Sequence, residues 1–205
     1  MRIIFFLIAL TSFNTAFAQT KTIADYTLEM KAEISDSSGN VIAEGTKQII
    51  VAGKKARVDF RSVKTTQSTV IDYVSNTAFI LRETGADKYM RRLNANDWKQ
   101  ENARFASANY QTSESNKKIL EYNCRKAVAQ LADGTQIVVY FHPGFNVISS
   151  ENNFQFGKIP GLVLEYEIVG INSKVHFVAT SLSFDPTPAS RFNPPTSGYR
   201  LIEKK

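Results

Sequence analysis

The chain has 205 residues, 43% of them hydrophobic, with 25 Lys and Arg against 19 Asp and Glu for a formal charge of +6. That length is enough for one domain with a real core. The mild positive charge, scattered along the chain, argues against nucleic acid as a partner and leaves attraction to an anionic membrane surface open. The single cysteine, Cys124, excludes an internal disulfide, so stability has to come from packing.

Residues 1–18 read as a cleavable export signal. Arg2 is followed by the apolar run Ile3 to Leu10 and by Ala16-Phe17-Ala18, whose small residues suit cleavage before Gln19. The run is too short to span a bilayer, and no cysteine follows the signal to carry a lipid. The expectation is a soluble periplasmic or extracellular domain over residues 19–205.

From Tyr26 to Ile34 apolar and polar residues alternate, which predicts a strand with one buried face. A turn at Ser37-Ser38-Gly39-Asn40 leads into a strand over Val41 to Val51, and Ala52-Gly53-Lys54-Lys55 turns the chain into another over Ala56 to Val63. Further strands are predicted at Thr69 to Val74, Thr77 to Glu83 and Lys88 to Leu93, the spacing of an antiparallel meander. Residues 94–118 break the pattern. They are polar apart from Trp98, Phe105 and Tyr110, and Asp97 with Gln100 offers a capping box for a helix that would put Trp98 and Phe105 on one face.

Strands resume over Ile119 to Leu131, and Ala132-Asp133-Gly134 makes a hairpin into Thr135 to Phe141. Both faces of Ile137 to Phe141 are apolar, which predicts a mid-sheet position. Two long strands are expected over Leu162 to Val169 and Lys174 to Phe184. The tail over residues 185–205 carries Pro186, Pro188, Pro194 and Pro195 and is expected to wrap the surface rather than pair centrally. About ten strands of this kind predict a mainly β fold: one strongly curved antiparallel sheet or open half-barrel, with residues 94–118 as a short helical or loop lid.

Three segments carry a family resemblance: Ile119-Leu120-Glu121-Tyr122-Asn123-Cys124-Arg125-Lys126-Ala127, Ile159-Pro160-Gly161-Leu162-Val163-Leu164-Glu165 and Phe192-Asn193-Pro194-Pro195-Thr196-Ser197-Gly198-Tyr199. In this order they resemble the GLPDLI-type exported proteins and envelope families similar in fold to the lipoprotein carriers LolA and LolB. Ile159-Pro160-Gly161-Leu162 departs from the sequence that names the first family. The resemblance implies an open barrel with a lid and an apolar interior, and it implies no catalytic residues.

The residues themselves assemble no catalytic or metal centre. His142 and His176 are the only histidines and lie at no ligand spacing from each other or from Cys124, which reads as a small buried apolar group. Glu165 and Glu167 share one strand face, where solvent exposure accounts for them without acid–base chemistry. No cofactor is expected. Two functions stay open. One is a non-enzymatic carrier or binding protein for a lipid, acyl chain or lipidated protein, its cavity lined by Leu28, Met30, Phe60, Tyr73, Leu164 and Tyr166 under a lid bearing Trp98 and Phe105. The other is a structural or interaction protein of the envelope whose interior is solidly packed. A ligand-sized pocket under the lid separates the two. Ligand, partner and oligomeric state are not legible.

Overall fold

The alternating segments fold as strands where their periodicity places them. The structure, a computed structural model, describes residues 20–202; the segment read as an export signal lies outside them. In chain order the elements are β1 (Lys21–Ile23), β2 (Asp25–Asp36), β3 (Val41–Ala52), β4 (Lys55–Ser62), β5 (Thr65–Asp72), β6 (Thr77–Thr84) and β7 (Asp87–Leu93). Helix α1 (Ala95–Glu101) follows, then β8 (Gln111–Ser113), β9 (Lys118–Ile119), β10 (Tyr122–Asn123), β11 (Arg125–Gln130), β12 (Gln136–His142) and β13 (Phe145–Val147). A short helix α2 (Asn153–Phe156) precedes β14 (Leu162–Val169), β15 (Ser173–Ser183) and β16 (Arg200–Ile202). Among the described residues no helix is long and apolar enough to cross a membrane.

Twelve strands form one sheet in the order β16-β7-β6-β5-β4-β3-β2-β15-β14-β12-β11-β8. Its end strands β16 and β8 do not pair with each other, so the sheet is not closed into a barrel. Nor is it purely antiparallel: the tail returns to add β16 parallel to β7, while β1 pairs parallel with β13 in a separate two-stranded unit. Proline keeps the tail out of the sheet only as far as Pro195, and the last residues pair at an edge, where a neighbour is needed on one side only.

Because side chains alternate, the register fixes two faces. On the core face, Tyr26, Val51, Ala56, Ile71, Ala78 and Leu93 stand in one row across β2 to β7. Leu28, Ile49, Val58, Thr69, Ile80 and Arg91 form the next, and Met30, Lys47, Phe60, Gln67, Arg82 and Tyr89 the third. On the other side of β2 the core face continues through Phe177, Tyr166, Val139 and Ala127. As expected, β12 lies inside the sheet; Ile137, Val139 and Phe141 have no exposed surface.

Three segments depart from the sequence reading. The strand expected over residues 119–131 is broken, because Leu120 takes a left-handed conformation (φ 54°) that folds β9 back on β10 before β11 begins. Strand β5 starts four residues earlier than the reading placed it, its polar Thr and Gln residues pairing with β4 and β6. Helix α1 is capped by Asn94, whose Oδ1 accepts the backbone N–H groups of Asn96 and Asp97, and not by an Asp97–Gln100 box. It ends at Glu101, so Phe105 falls in a following single turn and does not share a helical face with Trp98.

Candidate functional site: the core face and its covers

Two segments lie over the core face, and sequence reasoning identified one. The first is α1 with the turn after it. Trp98 is buried in the main core and Phe105 packs against it, so both residues expected to face inward do so. The lid was expected to run on to Lys118, but Gln111–Ser113 pairs as the edge strand β8, and Lys117 reaches Glu165 on the opposite side of the sheet. The second cover, residues 145–161, was missed. Its chemistry is legible only in retrospect: Phe145, Phe156 and Ile159 are buried apolar anchors, but their irregular spacing matches neither a helix nor a strand. The covers meet where the Trp98 ring abuts Phe154 (6.3 Å), Asn152 Nδ2 donates to Asn102 Oδ1 (2.7 Å) and Lys158 Nζ donates to the Ala108 carbonyl (3.0 Å).

The second cover is tied to the sheet by polar groups. Tyr26 OH donates to the Ser149 carbonyl (3.3 Å), and Tyr73 OH donates to the Ser150 carbonyl (3.1 Å) while accepting the Asn153 backbone N–H (3.3 Å). Burial, reinforced by the nearby Glu151 carboxylate, pushes the Tyr26 phenol well above its usual range; burial does the same for Tyr73. The remaining tie is an ion pair between Lys47 of β3, whose side chain is 12% exposed, and the buried Glu151.

Around Lys47 the core face becomes aromatic. Its Nζ donates to Tyr166 OH (2.5 Å) and stands over the rings of Phe177 (4.7 Å) and Tyr166 (5.1 Å). Phe60 meets Phe177 edge-on at 6.3 Å, Phe177 stacks on Tyr166 at 4.6 Å, and Tyr166 tilts against Phe156 at 5.0 Å. Gly45 leaves room for the first of these contacts: a Cβ there would fall 3.2 Å from the Phe60 ring and 2.5 Å from the Arg61 carbonyl.

Of the six residues expected to line a cavity, Phe60 and Tyr166 join this aromatic row and Tyr73 ties down the cover. Leu164 is fully buried. Leu28 and Met30 border a gap beneath the second cover, which also touches Ile49, Glu151, Phe156 and Leu162 and measures about 10 Å³. That is room for about one water molecule.

The opposite face holds two further buried carboxylates, Asp59, which pairs with Arg57 of the same strand, and Glu165. Glu165 was expected to be solvent-facing but is 5% exposed. Its Oε1 accepts from Lys117 Nζ (2.6 Å) and lies 2.9 Å from His176 Nε2, the Lys117 side chain reaching it over the Tyr140 ring from beside Cys124. Glu167 stays half-buried and pairs with Lys174. Cys124 is buried as expected, just ahead of β11 rather than within a strand. Desolvation first, with a smaller contribution from Glu165, pushes its thiol up to about 11, the wrong direction for a nucleophile. His142 sits at the strand end with its Nδ1 2.8 Å from the Asn123 carbonyl, among the rings of Tyr122 and Phe145. Among the described residues no group of three or more His, Cys, Asp or Glu side chains is placed to hold a metal ion.

No family model and no curated protein matches the sequence. Among solved structures, PNGF-II aligns with 88% of this chain at 16% identity and a TM-score of 0.50, the chain spanning 32% of that protein's length. A DUF1329 family protein from Desulfovibrio piger aligns with 83% of this chain and 90% of its own at 10% identity and a TM-score of 0.39. The PNGF-II alignment is a likeness of fold alone.

Proposed function

We propose that the chain is a non-enzymatic exported protein of the cell envelope that engages a partner through the part of its sheet that the covers leave open, the space under the covers serving as its core. The observation that carries this reading is the filled core face. A gap of about 10 Å³ beside Leu28 and Met30 stands against the roughly 300–1,000 Å³ of ordinary ligand sites. The non-enzymatic part is supported by the way each buried carboxylate is already paired, Glu151 with Lys47, Asp59 with Arg57 and Glu165 with Lys117 and His176. Export rests on the sequence of residues 1–18. In shape this reading takes a strongly curved sheet with both covers across its hollow.

The contact region we favour is the part of the core face the covers leave half open, where Phe60, Ile80 and Tyr89 are half-buried and Arg82 and Arg200 are exposed. Apolar surface edged by cations suits an acidic partner protein. In-cell crosslinking from a photoreactive residue at position 82 tests it. A discrete crosslinked species is expected, absent when the same residue replaces Lys64 in the β4–β5 turn; identical products from both positions would contradict it.

One observation favours the carrier reading. Trp98 Nε1, Tyr110 OH, Ser149 Oγ and Gln155 Nε2 are buried without hydrogen-bond partners among the described residues, and all belong to the segments over or beside the core face. Each such atom costs about 1–3 kcal/mol, which weakens the seam that a lipid or lipidated protein would have to open. Extraction of detergent-free protein purified from the envelope separates the readings: the packed core yields no lipid, a carrier yields a stoichiometric acyl species.

A further inference from the structure

The face opposite the covers carries a recess that the reading above does not use. The tail crosses this face with Phe192 buried against Ile50 and Val70. It is held there by Arg57, which donates to the Arg191 carbonyl (2.9 Å), and by Arg191, which donates to Gln48 Oε1 (3.1 Å). Beyond Phe192 the tail and the ends of β5 to β7 enclose a cleft of about 600 Å³, within the range of small-molecule sites at roughly 300–1,000 Å³. Val70, Phe79, Phe192 and Pro194 supply its apolar lining.

Lys55, Asp72, Arg92 and Asp97 are the charged residues at the rim, and the acids among them are already engaged. Asp72 Oδ1 accepts the backbone N–H groups of Val74 (2.9 Å) and Ser75 (3.2 Å), with Oδ2 3.8 Å from Lys55 Nζ. Asp97, in the first turn of α1, also has an interaction of its own. The Asn94 oxygen caps α1. The donors are less committed. Arg92 stands directly across from Phe79 in the β6–β7 register, is exposed, and has no ion-pair partner among the described residues. A ligand that completes this rim therefore brings acceptors and negative charge on an apolar body.

We propose that the cleft binds a small apolar carboxylate, its hydrocarbon part between Phe79 and Phe192 and its carboxylate on the Arg92 guanidinium, with Lys55 adding charge from the far side of the rim. A planar guanidinium can hold a carboxylate through two parallel hydrogen bonds, which an alcohol or an amine cannot reproduce. The site lies on the opposite side of the sheet from Lys47 and does not depend on either reading of the core face.

Titration calorimetry of the purified chain with octanoate tests it, with 1-octanol and octylamine as probes of equal chain length. Octanoate should bind saturably, and the alcohol and amine at least about tenfold more weakly. Arg92→Gln, an exposed change whose folding is checked by circular dichroism, should weaken octanoate about tenfold or more. Absence of saturable octanoate binding, equal binding by R92Q, or octylamine binding as tightly as octanoate would each overturn the proposal.

Discussion

The core face differs across its width, and the difference follows the covers. Around β12 and β14, Ile137, Val139, Phe141, Leu162, Leu164 and Tyr166 are all buried. In the row that begins with Leu28 and Ile49, burial fades toward β7: those two are buried, whereas Val58, Thr69, Ile80 and Arg91 are only half-buried. The same alternation thus builds a core where a second layer lies on it and a half-wet surface where none does. Lys47 stands at the boundary, with Glu151 and Tyr166 of the covered side to its one hand and Phe60 of the open side to its other. A sheet face becomes interior through what is laid over it, not through its own pattern.

Breaking the boundary pair is the strongest way to test this division. Lys47→Met leaves the Glu151 carboxylate buried without its cation and should cost about 3–5 kcal/mol in urea unfolding, whereas the double replacement Lys47→Met/Glu151→Leu should recover most of it. A single-variant loss below about 1 kcal/mol would mean that water reaches the pair and the division is misplaced.

Matched truncations sharpen the contrast. Leu164→Ala on the covered side should cost about 2–5 kcal/mol, and Ile80→Ala on the half-open side less than about 1, since part of that side chain already meets water. Equal losses would show the second half to be as enclosed as the first. On the opposite face, Glu165→Gln removes the charge that holds Lys117 and His176 and should cost about 1–3 kcal/mol. Amide exchange should then quicken first over residues 114–124.

Much of this division was absent from the sequence for a physical reason. Alternation in Tyr26 to Ile34 or Leu162 to Val169 reports which residues share a face, and those strands and faces were readable. Glu165 shows the limit: its alternation reads as solvent-facing, yet the Lys117 side chain reaches over it, and a contact from a distant segment leaves no local mark. The second cover escaped for the same reason, since residues 145–161 carry apolar anchors without a period. Trp98 and Phe105 were read as inward-facing from their near-helical spacing in a polar stretch, although the helix ends before Phe105. The tail's surface path was legible from its prolines; its return as β16 was not.

Two smaller effects probe the edges. Raising the Cys124 thiol from 9.0 to about 11 leaves about a hundredfold less thiolate at neutral pH, so a thiol reagent should label native protein at least that much more slowly than unfolded protein. Labelling at the unfolded rate would place Cys124 at the surface. At the other edge, Tyr199 OH and then Lys88 hold the Glu83 carboxyl below its usual range. A lowered folded-state pKa stabilises above the unfolded value of about 4.3 and is lost as pH falls through the folded value. Acid should therefore fray β16 from β7 slightly before the sheet melts, read as early exchange of the Arg200–Ile202 amides, and Glu83→Gln should remove the pH dependence.

The central claim is that the space a ligand would occupy beneath the covers is already core. Two methionines lie in the described chain on opposite faces of the sheet, Met30 bordering the small gap and Met90 on the far face. Methyl NMR of protein labelled at the methionine methyl carbon, titrated with a long-chain fatty acid, reads both faces at once. The account predicts a Met30 resonance that stays in place at every concentration, whatever Met90 does. A saturable shift of Met30 would put the acyl chain under the covers and contradict it.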